Sequence, residues 1–272
     1  MAIIARKPRN ASLRTQTFVK VADLTKKAPE KKLLAKLPHS GGRNSYGRIT
    51  VRWRGGGVKR QYRIVDFDRM YKNIPGKVVA IEYDPNRNLP IALISYANGA
   101  KTYQIRPEGL TVGGSIIASQ NADANVGNSL PLSSIPTGFF VHNVESFPGQ
   151  GGKFARSAGT AVQLVAKEDG RAVLKMPSGE LRYVDERCWA TIGTLSNAEF
   201  RNMVIGKAGR MRHLGFKPSV RGMAMNPVDH PHGGGEGRSK SGQHPTTPWG
   251  KSCKGARTRT RKSSFLIRRR RP

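Results

Sequence analysis

Three residues close together in the sequence, Asp229, His230 and His232, carry the groups best suited to chemistry. As a metal site, the His-x-His pair offers two imidazoles and Asp229 a carboxylate, but no fourth ligand stands at a recognisable spacing. As a catalytic dyad, Asp229 would orient His230 as a general base. The sequence identifies no nucleophile for it, and adjacency along the chain is not triad geometry. The third reading places both histidines in an extended, Gly/Pro-rich run from Val220 to Arg238, donating hydrogen bonds to backbone or phosphate. The residue types favour the third.

Two further stretches combine glycine with cations. The first runs from Ser40 through Arg43, Asn44, Tyr46, Arg48, Arg52, Trp53 and Arg54 to Gly55–Gly57, Lys59 and Arg60. Glycine permits close backbone approach, the cations neutralise phosphates, and Tyr46 or Trp53 could stack on bases. Trp53 also continues an apolar stripe with Ile49 and Val51, which places it in a core rather than on a base. Gly55–Gly57 is not a P-loop, because it lacks the G-x-x-x-x-G-K-[ST] spacing and a following helix. The second stretch, Pro148 to Gly159, reads as a long, flexible, basic loop carrying Lys153 and Arg156. Loops held by strands are where binding concentrates.

The elements that must hold these groups are read from charge and period. The chain has 272 residues, 48 Lys+Arg, 17 Asp+Glu and a net charge of +31. Residues 1–60 carry +14, residues 61–200 carry +1 and residues 201–272 carry +16, so a near-neutral body bears two basic arms. That excess repels itself and calls for a polyanionic partner. Cys188 and Cys253 lie far apart without CxxC spacing, which argues against a disulfide scaffold and a structural zinc module. No apolar run approaches the roughly 18 residues that span a bilayer, and no secretory h-region follows the N-terminus.

Alternating apolar residues predict a strand over Ile49–Trp53. Further strands are expected at Gln61–Asp66, Lys77–Tyr83, Ile91–Tyr96, Thr102–Ile105 and Ser115–Ser119. Asn98-Gly99 predicts a two-residue type I′ hairpin within a small barrel. A second series, Phe139–Val144, Ala161–Ala166, Ala172–Met176, Leu181–Val184 and Trp189–Leu195, forms a meander through turns at Asp169-Gly170 and Ser178-Gly179. Ser196-Asn197-Ala198-Glu199 fits a capping box, and Gly206 fits a stop, predicting one short helix over about 197–205. Beyond Gly206 no period survives, so the chain there reads as an extension that folds against a partner. Residues 1–38 read as a similar arm, with a transit peptide as the alternative.

Several runs are specific when taken together. They are Ser40-Gly41-Gly42-Arg43-Asn44 with Gly47-Arg48-Ile49-Thr50, Tyr62-Arg63-Ile64-Val65-Asp66-Phe67, and Glu82-Tyr83-Asp84-Pro85-Asn86-Arg87. Val141-His142-Asn143-Val144-Glu145, Ala155–Thr160, Gly206–Gly209, Asn226–Arg238 and Thr247-Pro248-Trp249-Gly250 join them. Through these the chain resembles the universal large-subunit ribosomal protein family conventionally numbered two, in its bacterial or plastid form. The likeness runs over nearly the whole length from about Ser40. Residues 1–38 match only in basic character, and Met223 stands where the family usually has a small or β-branched residue.

The resemblance implies an all-β fold of two small barrels with one short helix. An oligonucleotide-binding-type barrel would span 39–125 and an SH3-like barrel 126–205, with a basic arm at 1–38. An irregular basic extension at 206–272 would thread ribosomal RNA towards the peptidyl-transferase region. It implies no enzyme, cofactor, metal or membrane. The expected role is a primary rRNA binder supporting assembly, subunit association and the peptidyl-transferase region. The expected setting is a ribosome of the bacterial cytoplasm or plastid stroma, where the chain is a monomer among ribosomal proteins and reaches the small subunit at the intersubunit face. Carried onto this sequence, the RNA-contacting set adds Lys207, Arg210, Arg212, Arg221, Asn226, Arg238, Lys240, Lys251, Lys254 and Arg257 to the cations above. His230 matches a histidine discussed as catalytically important. Because peptide-bond formation is attributed to RNA, His230 is read with His232 as positioning RNA. The competing classes are an enzyme built on Asp229, His230 and His232, and a DNA-compacting protein.

Overall fold

The computed structural model describes residues 2–21, 23–237, 242–255 and 263–269, and its strand pairing is antiparallel throughout the named sheets. The chain divides into two units: Met1–Pro38, Lys59–Lys207 and Ser264–Pro272 form the first, His39–Val58 and Ala208–Ser263 the second.

In the first unit, β1 (Ala2–Ala5) pairs with β2 (Thr17–Lys20), and β3 (Leu34–Lys36) with β4 (Gln61–Arg63). The segment 1–38 is therefore less irregular than its sequence suggests. Its strands are only three or four residues long and half-buried, too short to print an alternation. Next come β5 (Gly76–Glu82), β6 (Ile91–Tyr96), β7 (Lys101–Ile105) and β8 (Ser115–Ile116), in the order β7-β6-β5-β8. β6 lies at the centre of this barrel and is covered on both sides. Ile91 and Leu93 enter one core cluster with Tyr103 and Ile105, while Ala92 and Ile94 enter another with Val78 and Ile116. An unbroken apolar run is what a strand buried on both faces requires.

The second barrel is built from β9 (Ser129–Pro131), β10 (Phe140–His142), β13 (Val162–Glu168), β14 (Arg171–Lys175), β15 (Leu181–Asp185), β16 (Trp189–Ile192) and β17 (Leu266–Arg268). These pair in the order β17-β15-β14-β13-β10-β16-β9 around Leu130, Val141, Leu164, Leu174 and Ile192. β11 (Val144–Glu145) and β12 (Gly152–Phe154) form a separate pair. The expected all-β class, with an oligonucleotide-binding-type barrel and then an SH3-like barrel, is what the chain adopts.

Four local expectations are corrected. Ile49–Trp53 is not a strand: Thr50 and Val51 both donate backbone N–H groups to the Gly42 carbonyl, and Trp53 has φ 63°. Ile49 and Val51 are exposed and Trp53 is only half-buried, so the stripe has no core to face. The helix at 197–205 is a 3₁₀ turn over Ala198–Asn202, because Ser196 spends its hydroxyl on the Arg106 carbonyl (3.0 Å) and Asn197 is left-handed. The six-residue helix α1 (Ala208–His213) follows Gly206 instead, where no element was expected. Finally, the hairpin at Asn98-Gly99 forms, but only Gly99 has positive φ. Tyr96 N–H bonds to the Ala100 carbonyl (2.9 Å), the pattern of a three-residue loop with a glycine bulge. Asp169-Gly170, with both φ positive, is the two-residue type I′ turn.

The chain beyond residue 263 returns to the first unit. β17 adds to the edge of β15, Tyr183 N–H donates to the Phe265 carbonyl (2.8 Å), and Phe265 packs edge-on against Phe147 at 5.7 Å. A few ladder bonds and one aromatic pair together are worth about 2–3 kcal/mol. Deleting residues 264–272 is expected to lower the melting temperature by roughly 4–10 °C while unfolding stays cooperative. An unchanged melt would show that this strand contributes nothing.

Candidate nucleic-acid interface

Strand β4 and the segment after it carry Tyr62 and Phe67, and the turn after β5 carries Arg87. Strand β12 and its continuation carry Lys153 and Arg156. These side chains, with Ala155, Ser157, Thr160 and Pro177, line a cleft of about 580 Å³ within the first unit. The Arg156 guanidinium lies 4.3 Å from the Phe67 ring centroid, and that of Arg87 lies 5.5 Å from the same ring and 5.3 Å from Tyr62. Arg87 is fixed by the buried Asp84 carboxylate and by a bond to the Tyr62 hydroxyl at 3.1 Å. Arg156 donates to the Gly152 carbonyl (3.0 Å) and Lys153 to the Gln150 amide oxygen (2.8 Å). Neither meets a carboxylate among the described residues, so both keep their charge for an anion. Guanidiniums laid on aromatic faces are held by cation–π attraction and still offer in-plane donors to phosphate.

The loop that supplies Lys153 and Arg156 is not the flexible loop expected. Glu145, buried at 4 % exposure, accepts backbone N–H groups from Gly149 (3.3 Å), Gly151 (3.1 Å) and Trp189 (3.0 Å). The Phe67 carbonyl accepts from Gly152 N–H and from the Asn143 side-chain amide, both at 3.0 Å. One buried carboxylate and one carbonyl thus tie the loop to the strand beneath it. The sequence carried no signal for this pair, because Val144–Glu145 and Gly152–Phe154 are two and three residues long, too brief to print an alternation.

In the second unit, His230 is buried and stacks on His232 with centroids 5.2 Å apart. His232 N–H donates to His230 Nδ1 (3.0 Å), and Thr246 N–H donates to His232 Nε2 (2.9 Å). A ring nitrogen that accepts a backbone N–H carries no proton, so His230 holds its proton on Nε2 and His232 on Nδ1. His230 thus offers a donor rather than a basic lone pair. Gly222 is required there, because a Cβ on it would lie 2.5 Å from the His230 ring.

The sequence-named cations fall into separate groups. Arg43 bridges to Ile49, and the Asn44 side chain caps the turn by accepting from Tyr46 and Arg48 N–H, both at 3.0 Å. Arg52 lies over Trp53 and Trp249, and Arg54 over Phe216 at 4.1 Å. Arg212 donates to the Phe216 carbonyl (3.2 Å), and Arg210 shares α1 with it. Arg221 precedes the 3₁₀ turn Gly222–Ala224, and the Asn226 carbonyl accepts from Asp229 N–H (3.0 Å). Lys251 and Lys254 are exposed in the same unit, while Lys59, Arg60 and Lys207 belong to the first. Arg238, Lys240 and Arg257 lie outside the described residues. The described ion pairs, Arg87–Asp84, Lys101–Glu30, Arg106–Asp23 and Arg187–Asp185, are all in the first unit. Arg87, Tyr62 and Phe67 were not among the expected contacts. The Asp84-Pro85-Asn86 turn before Arg87 was visible, but nothing in the sequence placed it against Phe67.

An all-β chain that lays arginines on aromatic rings, and whose Gly/Pro-rich unit holds sixteen Lys and Arg against two acids, has the make-up of an RNA-binding β protein. Residues 30–118 match the family described as Ribosomal Proteins L2, RNA binding N-terminal domain, and residues 125–250 match Ribosomal Proteins L2, C-terminal domain. The chain belongs to the ribosomal protein L2 family. It is a structural protein of the ribosome that binds ribosomal RNA within the large subunit.

Proposed function

We propose that the cleft of Tyr62, Phe67, Arg87, Lys153 and Arg156 is a principal rRNA grip. The cations of residues 43–60 and 207–257 named above neutralise further phosphates of the RNA. On this reading the two barrels seat the protein on RNA, and the extension from 206 supports the peptidyl-transferase region. Assembly and subunit association depend on both, and the small subunit is met at the intersubunit face. The chain is not an enzyme: His230 Nε2–H positions RNA as a hydrogen-bond donor. The setting is the bacterial cytoplasm or the plastid stroma. The observation that carries the proposal is Arg156, exposed on the Phe67 ring at 4.3 Å with no carboxylate near it among the described residues.

Salt dependence of binding to a large-subunit rRNA fragment tests this. The log–log slope falls by about 0.7–0.9 for each phosphate that the protein no longer neutralises. Arg156→Ala is therefore expected to flatten it by about one and to weaken binding roughly tenfold. Arg156→Lys keeps the slope, and Arg187→Ala, outside the cleft and paired with Asp185, changes neither. If Arg156→Ala matches the wild type at every salt concentration, the cleft is not the grip. Equal affinity for duplex DNA at matched salt would replace rRNA by nucleic acid in general.

A further inference from the structure

Trp249 is 75 % exposed, yet it is not on a loose loop. It occupies the third position of the turn Thr247-Pro248-Trp249-Gly250, closed by Gly250 N–H to the Thr247 carbonyl at 2.9 Å. Proline second and glycine last are the residues a type I turn favours. Lys251 N–H returns to the Thr247 hydroxyl (3.2 Å), Thr247 N–H reaches the Lys251 carbonyl (2.7 Å), and Thr246 bridges to Ser252. Thr246 is itself held on His232 Nε2 (2.9 Å). The turn therefore presents an indole at its tip from a hydrogen-bonded base.

One side of that indole is engaged. The Arg52 guanidinium lies 5.8 Å from the Trp249 ring and 5.5 Å from Trp53, so one cation is shared by two indoles. A scattered exposed aromatic needs no explanation. An aromatic braced by a cation, in a unit with sixteen Lys and Arg against only Asp229 and Glu236, is a different case. The ring face left open has an electron-rich π surface backed by positive charge. The ligand it fits is flat, apolar in its faces and joined to phosphate: an unpaired nucleobase.

We infer that Trp249, backed by Arg52, is a stacking platform for one unpaired base of the RNA. The inference rests on the rRNA-binding reading and adds a site distinct from the cleft around Phe67. Stacking acts on unpaired bases only, because bases within a duplex already stack on each other.

The test uses the full chain with two probes at matched salt: a short adenine-rich RNA single strand, and a perfect RNA duplex of equal phosphate count. Trp249→Ala is expected to weaken the single strand roughly tenfold and the duplex by less than about twofold, with the salt slope unchanged. Trp249→Phe restores most of the affinity. The fluorescence difference between wild type and Trp249→Phe is quenched by the single strand alone. Equal weakening on both probes would assign Trp249 to packing, and no weakening on either would leave it to another partner. Both outcomes overturn the platform. If the wild-type chain binds neither probe, the rRNA-binding reading itself fails.

Discussion

Gly152→Ala is expected to destabilise the protein by about 3 kcal/mol, the upper range for a residue forced into filled space, and to lower its melting temperature by roughly 6–12 °C. A Cβ at this position would stand 2.2 Å from Asn143 Oδ1 and 2.5 Å from the Asn143 carbonyl oxygen. Neither atom can retreat. Asn143 has φ 50°, its backbone N–H is bonded to the Ala155 carbonyl (3.1 Å), and its amide is bonded to the Phe67 carbonyl. The same substitution moves the floor of the cleft, since Gly152 N–H also holds the Phe67 carbonyl on which that wall depends. RNA affinity should fall with stability. Gly149→Ala provides the contrast: its φ is 75° but nothing lies within 4 Å, so only backbone strain of roughly 1–2 kcal/mol is added. Equal melting temperatures for Gly152→Ala and the wild type would show that the loop is not clamped as described.

Acid should begin to destabilise the protein as the pH falls below about 6.5. His142 is fully buried, its Nδ1 lies 2.8 Å from the Gly193 carbonyl, and Nε2 finds no partner among the described residues. Burial is the main cause that pushes its pKa down to about 3. The Gly193 hydrogen bond works against this, and the Arg69 charge adds to it. The unfolded chain takes up a proton near pH 6.5 that the folded chain refuses until about pH 3. Above pH 6.5 both states are neutral and no penalty exists. Between those values the unfolded state binds more protons, and stability falls by about 1.4 kcal/mol per pH unit. At pH 5 the penalty is about 2 kcal/mol, or roughly 4–8 °C. His142→Asn, which can still donate to the Gly193 carbonyl, should melt lower at neutral pH but with a much flatter dependence down to pH 5. Parallel curves for the two proteins would assign the acid sensitivity to other groups.

How far the sequence could be read follows from the length and neighbours of each element. Ile91–Tyr96 was found to the residue because a strand buried on both faces prints an apolar run with turns at either end. The Asp169-Gly170 turn was found because a type I′ turn restricts residue choice at both positions. Ile49–Trp53 failed because alternation is necessary for a half-buried strand but does not supply a partner to pair with. The capping box at Ser196–Glu199 failed because the serine hydroxyl had a distant acceptor, the Arg106 carbonyl, ninety residues away. Sites were legible only as inventories of cations. Arg156 was named from its loop, but Arg87 and Phe67 became part of the same cleft only when strands remote in sequence met.

Both ends of the Gly/Pro-rich segment 208–263 are fastened to the same unit, one by the strands before Lys207 and the other by β17 on β15. In topological terms it is a closed lasso rather than a free filament. A filament has a free end that can lead it through a hole that already exists, whereas a lasso enters one only doubled back on itself or after it is unclasped. RNA that encircles a single pass of these residues must therefore close around it after the protein has arrived, or β17 must first let go of its edge. The clasp thereby ties the ways in which RNA can surround this segment to three residues, Leu266–Arg268.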